Sequence, residues 1–100
     1  MPLEMAHKLI KERELEIGNL EKAEQILTDY IISHESPRAY GLLAQIQYWK
    51  GEIAPKEEKI AIYEKGIEFG KQGIALNKEN IESTFWLGVC YGLLGDERGI

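Results

Sequence analysis

Few side chains in this sequence could do chemistry. His7 and His34 are the only histidines and Cys90 the only cysteine. A zinc site draws on several Cys and His ligands at short spacings, and the chain contains no CxxC or Cys/His pattern. Carboxylates are plentiful in "KERELE" and "KEEK". Acid/base work, however, needs two of them converging in one cleft with separated pKa values, and on helical segments these read as exposed charge. The stretch "KGIEFGKQG" holds Gly66, Gly70 and Gly73. A phosphate-binding loop sets its glycines between a strand and a helix. Here the spacing is helical and no strand precedes it. No P-loop and no GxSxG is present. The expectation is a chain without catalytic residues, metal or cofactor. His7 and His34 are expected to face solvent. Cys90, within an apolar run, reads as a small core residue.

The totals fit a single small domain. One hundred residues with 44% hydrophobic composition can bury one core. Charged residues make up 29% and the net charge is -5. An acidic surface disfavours polyanions, so neither nucleic acid nor an anionic membrane surface is an expected partner. No segment approaches the 18 or so apolar residues that span a bilayer. The opening "MPLEMAHKLIKERE" lacks the pattern of a signal peptide. The compartment reads as cytoplasmic by default, with the soluble portion of a membrane-anchored protein as the alternative.

The elements that must position these residues read as five helices. The first is expected over residues 3–17, ended by Gly18, with Asn19 capping the next. The second runs over 20–33, with Leu20, Ala23, Leu27, Tyr30 and Ile31 on one face. Ser36 and Pro37 open the third, which ends at Lys50 with Gly51 just beyond it. Pro55 opens a fourth that continues to Leu76 and stops at Asn77. Asn80 caps the fifth, over 81–94, with Gly95 as its stop. Residues 96–100 read as the start of a sixth.

The fourth helix carries two apolar stripes. Ile60, Tyr63, Ile67, Gly70 and Ile74 form one; Ile62, Gly66, Phe69, Gly73 and Leu76 form the other. They lie about 100° apart around the axis, so neighbours are expected on two sides. Each glycine costs a helix about 1 kcal/mol relative to alanine. The expected return is a row of hollows, one of them filled by Phe85 or Trp86.

When Gly18, Gly51 and Gly95 are superposed, an internal repeat emerges. One segment, "STFWLGVCYGLLGD", contains Leu87-Gly88, Tyr91 and Gly95. Another, "RAYGLLAQIQYWKGE", contains Tyr40, Leu43-Ala44 and Gly51. This resembles the tetratricopeptide repeat family and its pattern W-x2-L-G-x2-Y, turn glycine, A-x3-F and later proline. The match is uneven. Thr84 stands at the tryptophan position and Gln47 at a tyrosine position, with Tyr48 beside it. Gly66, Gly70 and Gly73 follow at the small-large-small positions, where Gly70 departs from the pattern, and Lys78 replaces the proline. In the first segment Ile10, Gly18, Leu20, Ala23 and Leu27 fit, whereas Lys11 and Glu14 do not. Gly18 and Gly51 are 33 residues apart and Gly51 and Gly95 are 44 apart, against a usual 34. The extra residues are assigned to "IAPKEEKIAI".

The resemblance implies an all-α fold of antiparallel helix pairs stacked as a short right-handed solenoid. Its units would be a degenerate repeat over about 4–36, an extended one over about 37–80 and a truncated one over about 81–100. It implies that Tyr40, Leu43, Ala44, Gly66, Gly70, Gly73, Leu87, Gly88 and Tyr91 pack helix against helix. It further implies a concave groove lined by Arg38, Gly41, Gln45, Tyr48 and Trp49, with Glu82, Phe85, Val89 and Leu93 beside them. The family's lysine-and-asparagine clamp for carboxyl-terminal peptides is not evident. The implied function is a noncatalytic scaffold for protein–protein contact or self-assembly, of the kind found in bacterial repeat proteins. The alternative is a helical accessory domain of a transport or envelope complex that binds a small apolar ligand. "FWLGVCYGLL" is apolar nearly all round. Its cover is therefore expected from further chain or from a second copy paired through the C-terminal helix.

Overall fold

The computed structural model describes residues 1–99, and among them finds five α-helices and no strand. They are α1 (Pro2–Lys11), α2 (Asn19–Ser33), α3 (Pro37–Ile53), α4 (Lys56–Leu76) and α5 (Ile81–Arg98).

Local chemistry accounts for the ends. α1 stops at Lys11, six residues short of the expected boundary. It buries Ala6 and Ile10, and the next positions on that face are Arg13 and Glu14, which cannot extend an apolar stripe. Leu15 and Ile17 are left exposed. Past Lys11 the Ile10 and Glu12 carbonyls accept backbone N–H groups from Arg13 and Leu15 and gain side-chain donors as well: Arg13 Nη1 donates to the Ile10 carbonyl at 3.0 Å and Asn19 Nδ2 to the Glu12 carbonyl at 2.8 Å. Asn19 is thus not a cap. Gly18, left-handed at φ 93°, precedes α2 and makes the turn. The caps at Ser36 and Asn80 are as expected, accepting from the Ala39 and Ser83 N–H groups at 3.1 and 2.8 Å. Asn77 ends α4.

Gly51 and Gly95 do not end helices. α3 continues to Ile53 and α5 to Arg98, closed by left-handed Gly99. Residues 96–98 therefore finish the fifth helix rather than beginning a sixth. Gly51 lies buried in the last turn of α3, where a Cβ would strike the Tyr63 ring. Only Gly18 of the three superposed glycines stands at a turn.

Each helix packs on the next, and α3 also meets α1 and α5. The principal extents are 40 × 33 × 19 Å. The thin dimension is two helix diameters, with α1, α3 and α5 in one layer and α2 and α4 in the other. A first core gathers Ala6, Ile10, Leu20, Ala23, Leu27, Leu42, Leu43 and Ile46 from α1, α2 and α3. A second gathers Tyr63, Ile67, Cys90 and Leu94 from α4 and α5, with Tyr48 of α3 against it. Cys90 is fully buried. Burial pushes its thiol up to about 11, so it stays protonated at neutral pH.

α4 does have neighbours on two sides, α3 and α5. Its glycines admit α5 at backbone distance. A Cβ on Gly70 would lie 2.8 Å from the Leu87 Cβ, and one on Gly66 would lie 2.6 Å from the Cys90 Sγ. One on Gly73 would strike the Ser83 Oγ. The residues facing the hollows are therefore Ser83, Leu87 and Cys90, not Phe85 or Trp86. Phe85 and Trp86 carry rings too large for a gap set by backbone contact. Ser83, fully buried, satisfies its hydroxyl by donating to the Pro37 carbonyl at 3.1 Å.

A polar tie joins the layers. Glu24 of α2 accepts from Gln47 at 2.8 Å and from Lys50 at 3.0 Å, and pairs with Lys65 of α4 at 3.4 Å. Burial alone would raise its pKa. The Lys50 and Gln47 hydrogen bonds and the charges of Lys50 and Lys65 outweigh that and hold it below the usual carboxylate value.

Two outcomes follow from this packing. Gly73→Ala is expected to lower the unfolding free energy by about 1–3 kcal/mol through overpacking. Gly92→Ala, where a Cβ meets nothing within 4 Å among the described residues, should raise it by about 1 kcal/mol; denaturant melts of dilute protein measure both. For Glu24 the depressed folded pKa means its contribution is complete above the unfolded value near 4.5. That contribution is lost as pH falls through the folded value. Glu24→Gln should cost about 1–2 kcal/mol at neutral pH, and urea melts should show the gap from wild type shrinking on acidification.

Candidate protein-binding face

The layer formed by α1, α3 and α5 carries most of the residues singled out for partner binding. Arg38, in the first turn of α3, lies between the other two helices. Its guanidinium is 3.5 Å from Glu4 of α1 and 3.7 Å from Glu82 of α5. Both pairs are substantially exposed, so they orient the side chain more than they stabilise the fold. Gly41 is not open to a groove. It is buried, and a Cβ there would lie 2.8 Å from the Glu82 Cβ. Its role is to let the first turn of α5 sit on α3. Gln45 and Val89 are half-buried.

Aromatic rings link α3 to α5. Tyr48 meets Trp86 with centroids 5.2 Å apart and Trp49 at 4.7 Å, edge-on. Trp86 in turn meets Phe85 at 4.8 Å, also edge-on. These are favourable aromatic separations. Phe85 is 57% exposed, and Tyr48 and Trp86 are half-buried. Each offers ring surface while anchored on one side.

Trp86, expected in a hollow of α4, lies on this face instead, and its sequence position signals the face it takes. It stands four residues after Glu82 and three before Val89, on the same helical face.

Trp49 points elsewhere than Tyr48. It packs on the first core, with the Arg13 guanidinium carbon 3.3 Å from its ring centroid. With Arg13, Leu20, Glu52 and Ile53 it lines a separate cleft beside the α1–α2 turn. Its indole Nε1 is buried without an acceptor among the described residues. Nearby, the Tyr63 hydroxyl donates to Glu52 at 2.8 Å. Burial first, and then Glu52, raise the Tyr63 pKa, so the phenol stays protonated.

The packing residues divide. Leu43 and Ala44 are fully buried. Tyr40 packs against Phe69, centroids 6.4 Å apart, and Leu87 lies over Gly70. Gly66, Gly70 and Gly73 receive α5 as described. Gly88 and Tyr91 do not pack between helices. Among the described residues nothing lies within 4 Å of a Cβ at Gly88, and Tyr91 is 48% exposed. The buried face of α5 is set by Ser83, Cys90 and Leu94, which turns Gly88 and Tyr91 outward.

His34 is exposed and stacks on Tyr30 with centroids 4.0 Å apart, whereas His7 is half-buried. Among the described residues no three His, Cys, Asp or Glu side chains are grouped as metal ligands would be. No helix of the described chain is long and apolar enough to cross a membrane.

Arg13→Ala removes both the stacked cation and the hydrogen bond to the Ile10 carbonyl and should cost about 1–2 kcal/mol in urea unfolding; an unchanged midpoint would show that the two contacts together contribute nothing.

Comparison with protein-family models, curated proteins and solved structures finds no match for this chain.

Proposed function

We propose that this chain is a noncatalytic, tetratricopeptide-like scaffold that binds a protein segment on the face formed by α1, α3 and α5. The observation that carries the reading is the half-exposed run of Tyr48, Trp86 and Phe85, which crosses from α3 to α5. Aromatics held rigid on one side and open on the other are typical binding hot spots. Arg38, Glu4 and Glu82 at one end supply a polar rim.

The order of helix contacts supports a solenoid reading. Consecutive helices pack together, and α3 meets both α1 and α5 in its own layer. A repeat protein stacks its units in this way and uses the face of one layer for binding. The exposed Gly88 and Tyr91 depart from the family pattern, so the resemblance is carried by Tyr40, Leu43, Ala44 and the α4 glycines.

The ligand class that fits is a helical or extended peptide presenting apolar anchors. Such a segment can fill the spaces between rings and meet Arg38 with a carboxylate or a backbone carbonyl.

Screening a random peptide library against the intact chain tests the reading. Binders are expected whose affinity falls at least about tenfold with Tyr48→Ala or Trp86→Ala and stays unchanged with Lys22→Ala, an exposed residue of α2. Binders insensitive to both aromatic replacements would place the site elsewhere.

A further inference from the structure

Where α1 gives way to α2, the last turn of α3 closes a groove unlike the aromatic face. Arg13, Glu14, Leu20, Trp49, Glu52 and Ile53 line a cleft of about 170 Å³. Arg13, Leu20 and Ile53 continue into a second of about 230 Å³, bounded also by Ile17, Gly18 and Glu21. Leu20 is buried, while Ile17 and Ile53 stand exposed at the edges.

The rim is acidic. Glu14, Glu21 and Glu52 are exposed, and among the described residues none of them forms an ion pair. Glu52 is oriented by the Tyr63 hydroxyl, which donates to it at 2.8 Å. The cation of the groove is already engaged, since Arg13 lies on the Trp49 ring and donates to the Ile10 carbonyl. Lys59 reaches across from α4 but donates to the Gly51 carbonyl. Two buried atoms at this corner also lack partners among the described residues, the Trp49 Nε1 donor and the Asn19 Oδ1 acceptor. Asn19 is 4% exposed and stands between Gly18 and Leu20 of the wall. Buried polar atoms are rarely left unmatched.

We propose that this groove binds a basic peptide segment in which an aliphatic side chain sits beside a lysine or arginine. The aliphatic group covers Leu20 between Ile17 and Ile53, and the cation meets Glu14 or Glu52. A peptide main chain brings both an N–H for Asn19 Oδ1 and a C=O for Trp49 Nε1. A simple amine brings no carbonyl, which is the reason to assign a peptide. The charge preference is opposite to that of the Tyr48–Trp86 surface, where Arg38 awaits a carboxylate, and the proposal stands without that surface.

An NMR titration of the whole chain with a capped Lys-Leu-Leu-Lys tetrapeptide tests this. Trp49 and Trp86 carry the chain's two indole N–H groups, and Trp86→Phe assigns their signals. A saturable shift of the Trp49 signal is expected, with a dissociation constant on the order of 1 mM for so short a peptide. Replacing Glu14→Gln and Glu52→Gln together should weaken binding at least about threefold at low salt. Glutamine keeps an acceptor for the Tyr63 hydroxyl, and if the pair nevertheless fails to fold, Glu14→Gln alone decides. A capped Glu-Leu-Leu-Glu peptide should not saturate by about 10 mM, and hexylamine should bind at least about tenfold more weakly than the basic peptide. No saturable shift of Trp49 would overturn the proposal. So would an acidic peptide that binds as well as the basic one, or binding insensitive to the glutamate replacements. Hexylamine matching the peptide would overturn the assignment of a peptide. Trp86→Ala should leave this titration unchanged while it weakens binders of the aromatic face, so the two readings fail separately.

Discussion

Between Gly66 and Gly73 the backbone of α4 lies against α5 with almost no side chain of its own in the gap, and the other helix contacts are arranged around that approach. A Cβ at any of these glycines would meet Ser83, Leu87 or Cys90 at less than van der Waals distance. Closeness here brings the N-terminal turn of α5 onto α3, where Gly41 makes room for Glu82 and Ser83 donates to the Pro37 carbonyl. The helix penalty of three glycines, about 3 kcal/mol, is offset by dense contact along two turns and by the burial it permits. Interiors packed like organic crystals tolerate little change at such a seam.

The aromatic face depends on the same approach. Trp86 reaches Tyr48 only because α5 is drawn onto α3 and α4 along its Ser83–Cys90 side. On the opposite layer, Glu24 gathers Gln47, Lys50 and Lys65, tying α2 to α3 and α4. A buried amide and a half-buried carboxylate are satisfied together there, which favours one arrangement of these three helices over sliding alternatives. α3 is common to both cores, and with the loops so short each helix is held by its neighbours on either side.

The all-α class and the helix ends at Ser36, Asn77 and Asn80 could be read directly from the sequence because those signals are local. Ser36-Pro37, Asn77 and Asn80 act within one turn of helix, and tertiary context leaves them intact. The two-sided burial of α4 was also legible, because two stripes about 100° apart require two neighbours. The ends of α1, α3 and α5 were not. A glycine marks a stop when the chain needs a left-handed residue, as at Gly18 and Gly99, but it marks a close contact when a ring needs room, as at Gly51 beneath Tyr63. One residue type serves both purposes, and only its partner reveals which. Of the three glycines that align the internal repeat, Gly51 and Gly95 lie within helices, so the three are not equivalent stops.

The same distinction separates the site residues. Sequence alone determined that Arg38, Gln45 and Tyr48, and likewise Glu82, Val89 and Leu93, share helical faces, because helical periodicity is a property of each segment by itself. It also determined that Cys90 belongs inside and that the α4 glycines mark an interface. The tertiary structure decided which rings meet. It set Tyr48 against Trp86 and turned Trp49 toward Arg13. It left Phe85, Gly88 and Tyr91 facing outward because Ser83, Leu87 and Cys90, smaller or better placed, took the gap. The reason is physical: periodicity fixes the angle of a side chain about its own axis, whereas the rotation of one helix against another is set by which pair of surfaces can approach most closely.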